Sequence, residues 1–181
     1  MAGVFLLAGS FGPVVICEQQ QASTWFFGLP MWNFIPQFIG FAVFMICILA
    51  EVERVPFDLP EAEAELVEGW TTEYSGIRFM FFLMAEYIRG FAGAAVAVIL
   101  FLGGWAGPFL PPEIWFLIKV YLVIIFWIFI RWSVPRIRTD QILVLGWKKL
   151  LPLSLINILI VIFMVEIGPY FSDIVNLPEV F

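Results

Sequence analysis

The densest charge in this chain lies in residues 51–73, EVERVPFDLPEAEAELVEGWTTE, where a single basic residue, Arg54, stands among many carboxylates. Glu61, Glu65 and Glu68 fall at positions i, i+4 and i+7, which places them on one face if the segment is helical. Carboxylates that crowd together in a low-dielectric site repel one another, so one of a neighbouring pair retains its proton near neutral pH. A cluster of this kind can hold and exchange protons.

The alternative interpretation of this stretch is a solvated acidic loop, which is what most charge runs are. Two features favour a folded piece that packs against a membrane face. Apolar side chains, among them Phe57 and Trp70, interleave the acids, and the stretch is short and bounded by apolar segments. Asp58 and Pro60 also suit the first turn of a helix.

One further acid, Glu86, falls inside an apolar segment and is followed by Tyr87 and Arg89. An ionisable residue within a membrane span costs roughly 2.5–3.5 kcal/mol on insertion scales and usually marks a functional site. Two roles remain open, because an internal Glu86–Arg89 pair could simply pack, whereas an accessible Glu86 could carry or steer protons. Close approach of another helix is favoured by a stripe of small residues just beyond this point, Gly90, Gly93, Ala94 and Ala97.

The elements that position these residues follow from composition. Of the 181 residues, 62% are hydrophobic and only 13% are charged, which is far too apolar for a soluble globular domain. A bilayer core about 30 Å thick needs a helix of roughly 20 residues, and the chain contains several apolar runs of that length. The sequence therefore predicts an all-α fold, a polytopic transmembrane helical bundle that forms one membrane domain over residues 1–181.

Whole spans are predicted near 34–53, 78–103, 114–132 and 150–168. A fifth apolar segment, 1–16, has no basic region before it and no small-residue cleavage site, so a signal peptide is not expected. It is short for a full span and looks like the second half of one. We therefore expect this partial span to be completed by another polypeptide or by residues that precede this sequence.

Orientation follows from the basic residues, since seven of the nine Lys and Arg lie in or beside two predicted loops, the acidic loop 54–77 and the basic loop 133–149. These loops join consecutive pairs of spans and so lie on the same side of the membrane. The positive-inside rule makes that side cytoplasmic.

Some chemistry is excluded for this sequence. It contains no His, which rules out haem ligation by His, typical zinc sites and His acid–base catalysis. Cys17 and Cys47 are too few to hold an iron–sulfur cluster, and no Gly-rich phosphate loop is present. We expect this chain to bind no metal or redox cofactor of its own.

Two long motifs carry a family resemblance. The run ERVPFDLPEAEAELVEGWTTEYSGIRFMFFLMAEY resembles the signature of the H subunit of bacterial NADH–quinone oxidoreductase, the equivalent of mitochondrial NADH dehydrogenase subunit 1 in complex I. Downstream, RWSVPRIRTDQILVLGWKKLLP is similar to the second signature of that family, and LLAGSFGPVVICEQQ is similar to a weaker one. The resemblance covers essentially the whole chain and corresponds to the C-terminal half of the subunit. The chain departs from the family pattern at three positions: Glu68 adds an acid where a small residue is usual, Trp70 replaces Tyr or Phe, and Arg89 adds a charge beside the A-E-Y motif.

The resemblance implies a cofactor-free membrane subunit that docks a peripheral redox arm, forms part of a quinone chamber and begins a path of buried charges for proton translocation. NAD, flavin and iron–sulfur clusters would then belong to partner subunits, and a lipid quinone would be the substrate. Glu86 matches the intramembrane acid of the proton route. The quinone-chamber and coupling loop is matched by Glu51, Arg54, Asp58, Glu61, Glu63, Glu65 and Glu73. The docking and structural loop is matched by Arg136, Arg138 and Asp140.

Two other functions stay open at this point. One is a homologous subunit of a membrane-bound hydrogenase, or of a ferredoxin-driven or deazaflavin-driven proton pump, although such relatives keep the PFDLPEAE loop less faithfully. The other is a cation transporter with an acidic vestibule, for which the expected broken helices and inverted repeats are not visible. In the favoured interpretation the chain lies in an energy-transducing membrane, either a bacterial or archaeal cell membrane or an organellar inner membrane.

Overall fold

The computed structural model describes residues 1–22, 32–57, 73–107 and 110–175, with side chains as far as Glu166. Nearly all of these residues are helical or lie in short connections, and three helices are long and apolar enough to cross a membrane. A bent pair of shorter helices would make a fourth crossing if it counts as one span. The prediction of an all-α, polytopic membrane fold is confirmed.

In chain order the helices are α1 (Ala2–Ala8), α2 (Pro13–Ala22), α3 (Phe38–Glu51), α4 (Ile77–Phe101), α5 (Pro112–Ser133), α6 (Thr139–Val144), a π-helical segment (Leu145–Leu150) and α7 (Leu151–Val175). Helices α4 and α5 begin and end within two residues of the predicted spans 78–103 and 114–132. Helix α3 begins four residues later than expected, because residues 33–37 form turns.

The first apolar segment is not one continuous helix. Helix α1 ends at Gly9, which takes the left-handed conformation at φ 60°, and α2 begins with Pro13 as its first residue. Glycine after the last turn and proline in the first turn are the residues that stop and start helices. The two helices meet at 62°, so the expected partial span 1–16 is in fact a bent pair that continues to Ala22.

The predicted basic loop 133–149 is largely helical. Only residues 134–138 lack helix, and α6, the π-helical segment and α7 then run on without a break. Residues 139–166 of this continuous helix qualify as one membrane-spanning candidate. The sequence suggested a loop because Lys148 and Lys149 interrupt the apolar pattern, but both side chains are exposed and leave the helix intact.

Helix α4 lies at the centre of the bundle and packs against α2, α3 and α5. Ala94 and Ala97 are fully buried. A Cβ on Gly93 would lie 2.6 Å from Cγ2 of Ile48 on α3, closer than side chains can approach. The expectation that the small-residue stripe admits a neighbouring helix is thus confirmed, and α3 is that neighbour.

The C-terminal end of α4 is held by a buried cation that the sequence did not single out. Lys119 on α5 is only 4% exposed, and its Nζ donates to the carbonyls of Leu102 at 2.7 Å, Gly104 at 3.1 Å and Ala106 at 2.7 Å. An ammonium group has three donors, so all of them are used. Its Nζ also lies 4.8 Å from the centroid of the Trp32 ring. The negative end of the helix dipole and this ring offset the buried charge.

Two amides secure the carbonyls just before that end. The Nε2 of Gln20 donates to the carbonyls of Ile99 and Leu100, and the Nδ2 of Asn33 donates to the carbonyl of Leu100. The Oε1 of Gln20 in turn accepts from the backbone N–H of Asn33. Helix ends leave four carbonyls without partners, and in an apolar bundle these must be satisfied by side chains.

Replacing Lys119 with Met should destabilise the bundle, because it keeps the side-chain length but leaves the carbonyls at the end of α4 without donors. Each buried acceptor left unpaired costs about 1–3 kcal/mol. The measurement is the thermal unfolding midpoint of the purified complex that contains this chain, with Lys148→Met as the matched control at an exposed lysine. Equal midpoints for the two variants would show that the cap contributes nothing to stability.

Candidate functional site

The predicted intramembrane acid is paired with the first basic residue of the acidic loop. Glu86, in the third turn of α4, forms a salt bridge through Oε1 with the Nε of Arg54, three residues beyond the end of α3. The two side chains are 19% and 25% exposed, so the pair is partly shielded from solvent. The Cζ of Arg54 also lies 5.0 Å from the centroid of the Tyr87 ring, a cation–π distance.

The ion pair between Glu86 and Arg89 that the sequence left open is not formed. The Nη1 of Arg89 instead donates to the backbone carbonyl of Glu51 at 3.2 Å. That carbonyl belongs to the last turn of α3, where carbonyls lack helical partners and cations are favoured. Arg89 therefore joins α4 to the end of α3 by a hydrogen bond, and the ion-pair partner of Glu86 is Arg54.

A groove of about 320 Å³ opens beside the ion pair, between α4 and α5. The groove contains both charged partners, and its other wall comes from the last turns of α5. Six of its lining side chains carry a charge or a polar ring group: Arg54, Glu86, Tyr87, Trp127, Arg131 and Trp132. Together with Phe91, the cleft therefore combines two guanidinium groups, one carboxylate and four aromatic side chains.

The remaining predicted site residues lie apart from the groove or cannot be placed. Glu51, the last residue of α3, and Glu73, within the acidic loop, are both exposed. Arg136 is half-buried, and Arg138 and Asp140 are exposed at the start of α6. Four predicted loop acids, Asp58, Glu61, Glu63 and Glu65, lie outside the described residues.

The acidic and basic loops are in direct contact. The backbone N–H of Ile137 donates to the carbonyl of Pro56 at 3.1 Å. This bond joins the segment after α5 to the segment after α3, so the two loops that were predicted to share one side of the membrane meet at one end of the bundle.

Sequence reasoning missed three members of the groove: Trp127, Arg131 and Trp132. A signal was present, since Arg131 and Trp132 end a long apolar run, and that pairing is typical of a helix end at a membrane interface. The choice of Arg54 as the partner of Glu86 had no such signal, because the two residues are separated by the whole acidic loop.

This fold and this site define a class: a multi-span helical membrane protein in which an acid inside one span pairs with an arginine from an adjoining loop.

Comparison with known proteins identifies the family within this class. The model of the family described as NADH dehydrogenase matches residues 1–162. The H subunit of NADH-quinone oxidoreductase from Brevibacillus brevis is 47% identical over 88% of this chain, and that from Methylococcus capsulatus is 45% identical over 87%. An H subunit from Syntrophobacter fumaroxidans that carries the number 2 in its name is 44% identical over 87% of the chain.

The chain therefore belongs to the NADH dehydrogenase family, whose curated members include the H subunits of NADH-quinone oxidoreductases. It spans about half the length of these relatives, between 45% and 48% in the three compared. The family resemblance seen in the two long motifs is confirmed.

The contact between Arg54 and Glu86 should appear as a coupling energy. Arg54→Gln and Glu86→Gln each leave one charge unpaired, whereas the double variant removes both, so the losses in stability should not add. A coupling of about 0.5–3 kcal/mol is expected for residues in direct contact. The measurement is the thermal stability of the purified complex for the two single variants and the double variant.

A matched cycle with Arg78→Gln in place of Arg54→Gln provides the control, because Arg78 is an exposed cation in the first turn of α4. Coupling of the same size in both cycles would mean that Glu86 senses only general positive charge rather than its contact with Arg54.

Proposed function

We propose that this chain forms one wall of the quinone chamber in a complex I-type membrane subunit and couples quinone reduction to proton translocation. The relatives are named subunits of an oxidoreductase that acts on a quinone. The observation that carries the proposal is the Arg54–Glu86 ion pair, which joins the start of the acidic loop to the one acid of α4.

The physical basis is the cost of charge in a shielded site. Reducing a quinone takes up two protons and changes the charge of a confined chamber. At an effective dielectric of 20, two unit charges 4 Å apart interact by about 4 kcal/mol. The same Coulomb relation governs the attraction between Arg54 and Glu86, so a new charge at the loop acids can compete with Glu86 for Arg54.

The ion pair supplies an element with two arrangements. When Arg54 is drawn towards a newly charged group in the loop, Glu86 loses its counter-ion and becomes able to take up a proton. When Arg54 returns, the proton is released. Because Arg54 lies at the junction of α3 and the loop, such an exchange moves a side chain and a short segment without repacking the bundle.

Under this proposal the chain works as a subunit of an oxidoreductase and translocase without a cofactor of its own. Quinone is the substrate, and NAD, flavin and iron–sulfur clusters belong to neighbouring subunits. Its partners are the other membrane and peripheral subunits of a complex I-like assembly, together with the N-terminal half of the same subunit. Its location is an energy-transducing membrane, crossed several times.

Replacing Glu86 with Gln should uncouple pumping from assembly. The side-chain volume is nearly unchanged, so the complex should form, whereas the titratable group is lost. The number of protons pumped per quinone reduced should fall by much more than the yield of assembled complex does, because the amide of Gln cannot take up and release a proton. The measurement is proton uptake or release by reconstituted complex per quinone reduced.

The matched control is Glu113→Gln, because Glu113 is an exposed acid in the first turn of α5, at the opposite end of that helix from the groove. Full pumping in a normally assembled Glu86→Gln complex would leave Glu86 with a packing role alone.

The acidic loop should contact a soluble subunit that carries iron–sulfur clusters. A photo-crosslinking amino acid at Ser75, an exposed position at the end of the loop, should capture such a subunit in the intact complex. The same amino acid at exposed Pro111, beyond the other end of the bundle, should not. Crosslinks from Ser75 only to lipid or to membrane subunits would argue against docking of a redox arm at this loop.

A further inference from the structure

The groove between α4 and α5 contains a cation that the ion pair does not use. Arg131 lies in the last turn of α5 and is exposed, and within the described ranges no ion pair or hydrogen bond holds its guanidinium group. Arg54 is committed to Glu86, so two arginines and one glutamate leave the groove with a net positive charge. An occupant with one negative charge would balance it.

Aromatic side chains surround that charge. Trp132 is 85% exposed and Tyr87 is 61% exposed, on opposite walls of the groove. Rings with one polar edge sit at the headgroup level of a bilayer, where one end is apolar and the other is wet. The indole Nε1 of Trp127, which also lines the groove, is buried without a hydrogen-bond partner in the part of the chain that the structure describes.

The groove changes from polar to apolar along its length. Ile124 and Ile128 stand two turns and one turn before Arg131 on α5, and Phe91 stands one turn beyond Tyr87 on the antiparallel wall of α4. At 1.5 Å per residue, Ile124 lies about 10 Å deeper than Arg131. A groove that is charged at one end and apolar over about 10 Å suits an amphiphile whose headgroup lies at the charged end and whose apolar chain lies along the deeper residues.

We propose that this groove binds one anionic phospholipid, with the phosphate at Arg131 and an acyl chain along Ile124, Ile128 and Phe91. A quinone headgroup is neutral in its oxidised form and would leave the extra charge of Arg131 unbalanced. A lipid phosphate would balance it, with the exposed rings of Tyr87 and Trp132 on the two walls beside the headgroup. The groove also contains the Arg54–Glu86 pair of the proposed coupling, but the lipid contacts proposed here are made by other residues, Arg131 and the apolar side chains of α4 and α5, so lipid binding can be tested without assuming redox coupling.

The test uses the intact complex reconstituted in phosphatidylcholine vesicles that contain about 1 mol% of a photoactivatable lipid, either phosphatidylglycerol or phosphatidylcholine with the reactive group on the acyl chain. Labelled peptides are mapped by mass spectrometry. The phosphatidylglycerol probe should label the peptide that contains Ile124 and Ile128 about fivefold more than the phosphatidylcholine probe, since one basic residue near an anionic lipid contributes about 1 kcal/mol.

Three variants identify the source of that preference. Arg131→Gln should abolish it, Arg131→Lys should retain most of it, and Lys148→Gln, which removes an exposed cation from another helix, should leave it unchanged. Because Arg131→Lys keeps the charge, it preserves the test even if Arg131→Gln assembles poorly.

Two competitors exclude other occupants. Inorganic phosphate should not displace the phosphatidylglycerol probe, because the apolar floor gives a free anion nothing to contact, and a short-chain quinone should not displace it either. Displacement by quinone would show that quinone occupies the groove. Displacement by phosphate would show that the site binds any anion and does not recognise a lipid. Equal labelling by the two lipid probes would show that the groove does not select an anionic headgroup. Each of these results overturns the proposal.

Discussion

Charge inside an apolar bundle must be matched locally, and the ion pair between Arg54 and Glu86 meets that constraint at the end of the bundle that we propose to be functional. Neither residue could stay half-buried alone without a large desolvation cost. Their contact fixes the start of the acidic loop against α4, and Arg89 reinforces the same junction by binding the carbonyl of Glu51. The groove opens beside this junction and is lined by both members of the ion pair and by the last turns of α5.

The opposite end of α4 obeys the same rule with different chemistry. Lys119 is satisfied by three backbone carbonyls rather than by a carboxylate, and Gln20 and Asn33 complete the set. The central helix is thus anchored at one end by a saturated lysine and at the other by an ion pair whose two partners come from different segments. The three donors of Lys119 are all in use, whereas an ion pair at a loop junction can exchange partners, which is why the proposed movement involves the acidic end.

Much of the fold was predictable from the sequence because bilayer thickness and apolar run length fix the helices. The spans near 78–103 and 114–132 correspond to α4 and α5, and Gly93 packs against α3 as a small residue should. Two features escaped. The break between α1 and α2 depends on Gly9 and Pro13. A hydropathy pattern is averaged over many residues, so two single residues that stop and start helices do not stand out in it. The helix through Lys148 and Lys149 looked like a loop because charge, rather than backbone geometry, was the visible signal.

The sequence singled out Arg54 and Glu86 as individual residues, but it did not indicate that they form a pair. Glu86 stood out because an acid within a span is costly. A pair with Arg89 at i+3 was one of two open alternatives, whereas the observed partner, Arg54, lies at the far end of the acidic loop. Long-range pairing of this kind depends on how α3 and α4 pack, which no local pattern encodes. Redox-induced infrared difference spectroscopy of the intact complex tests the central claim directly, since it reports changes at individual carboxyl groups when quinone is reduced. The account predicts a carboxyl signal that is lost in Glu86→Gln and shifted in Arg54→Lys. Identical difference spectra for the wild type and Glu86→Gln at full quinone reduction would contradict it.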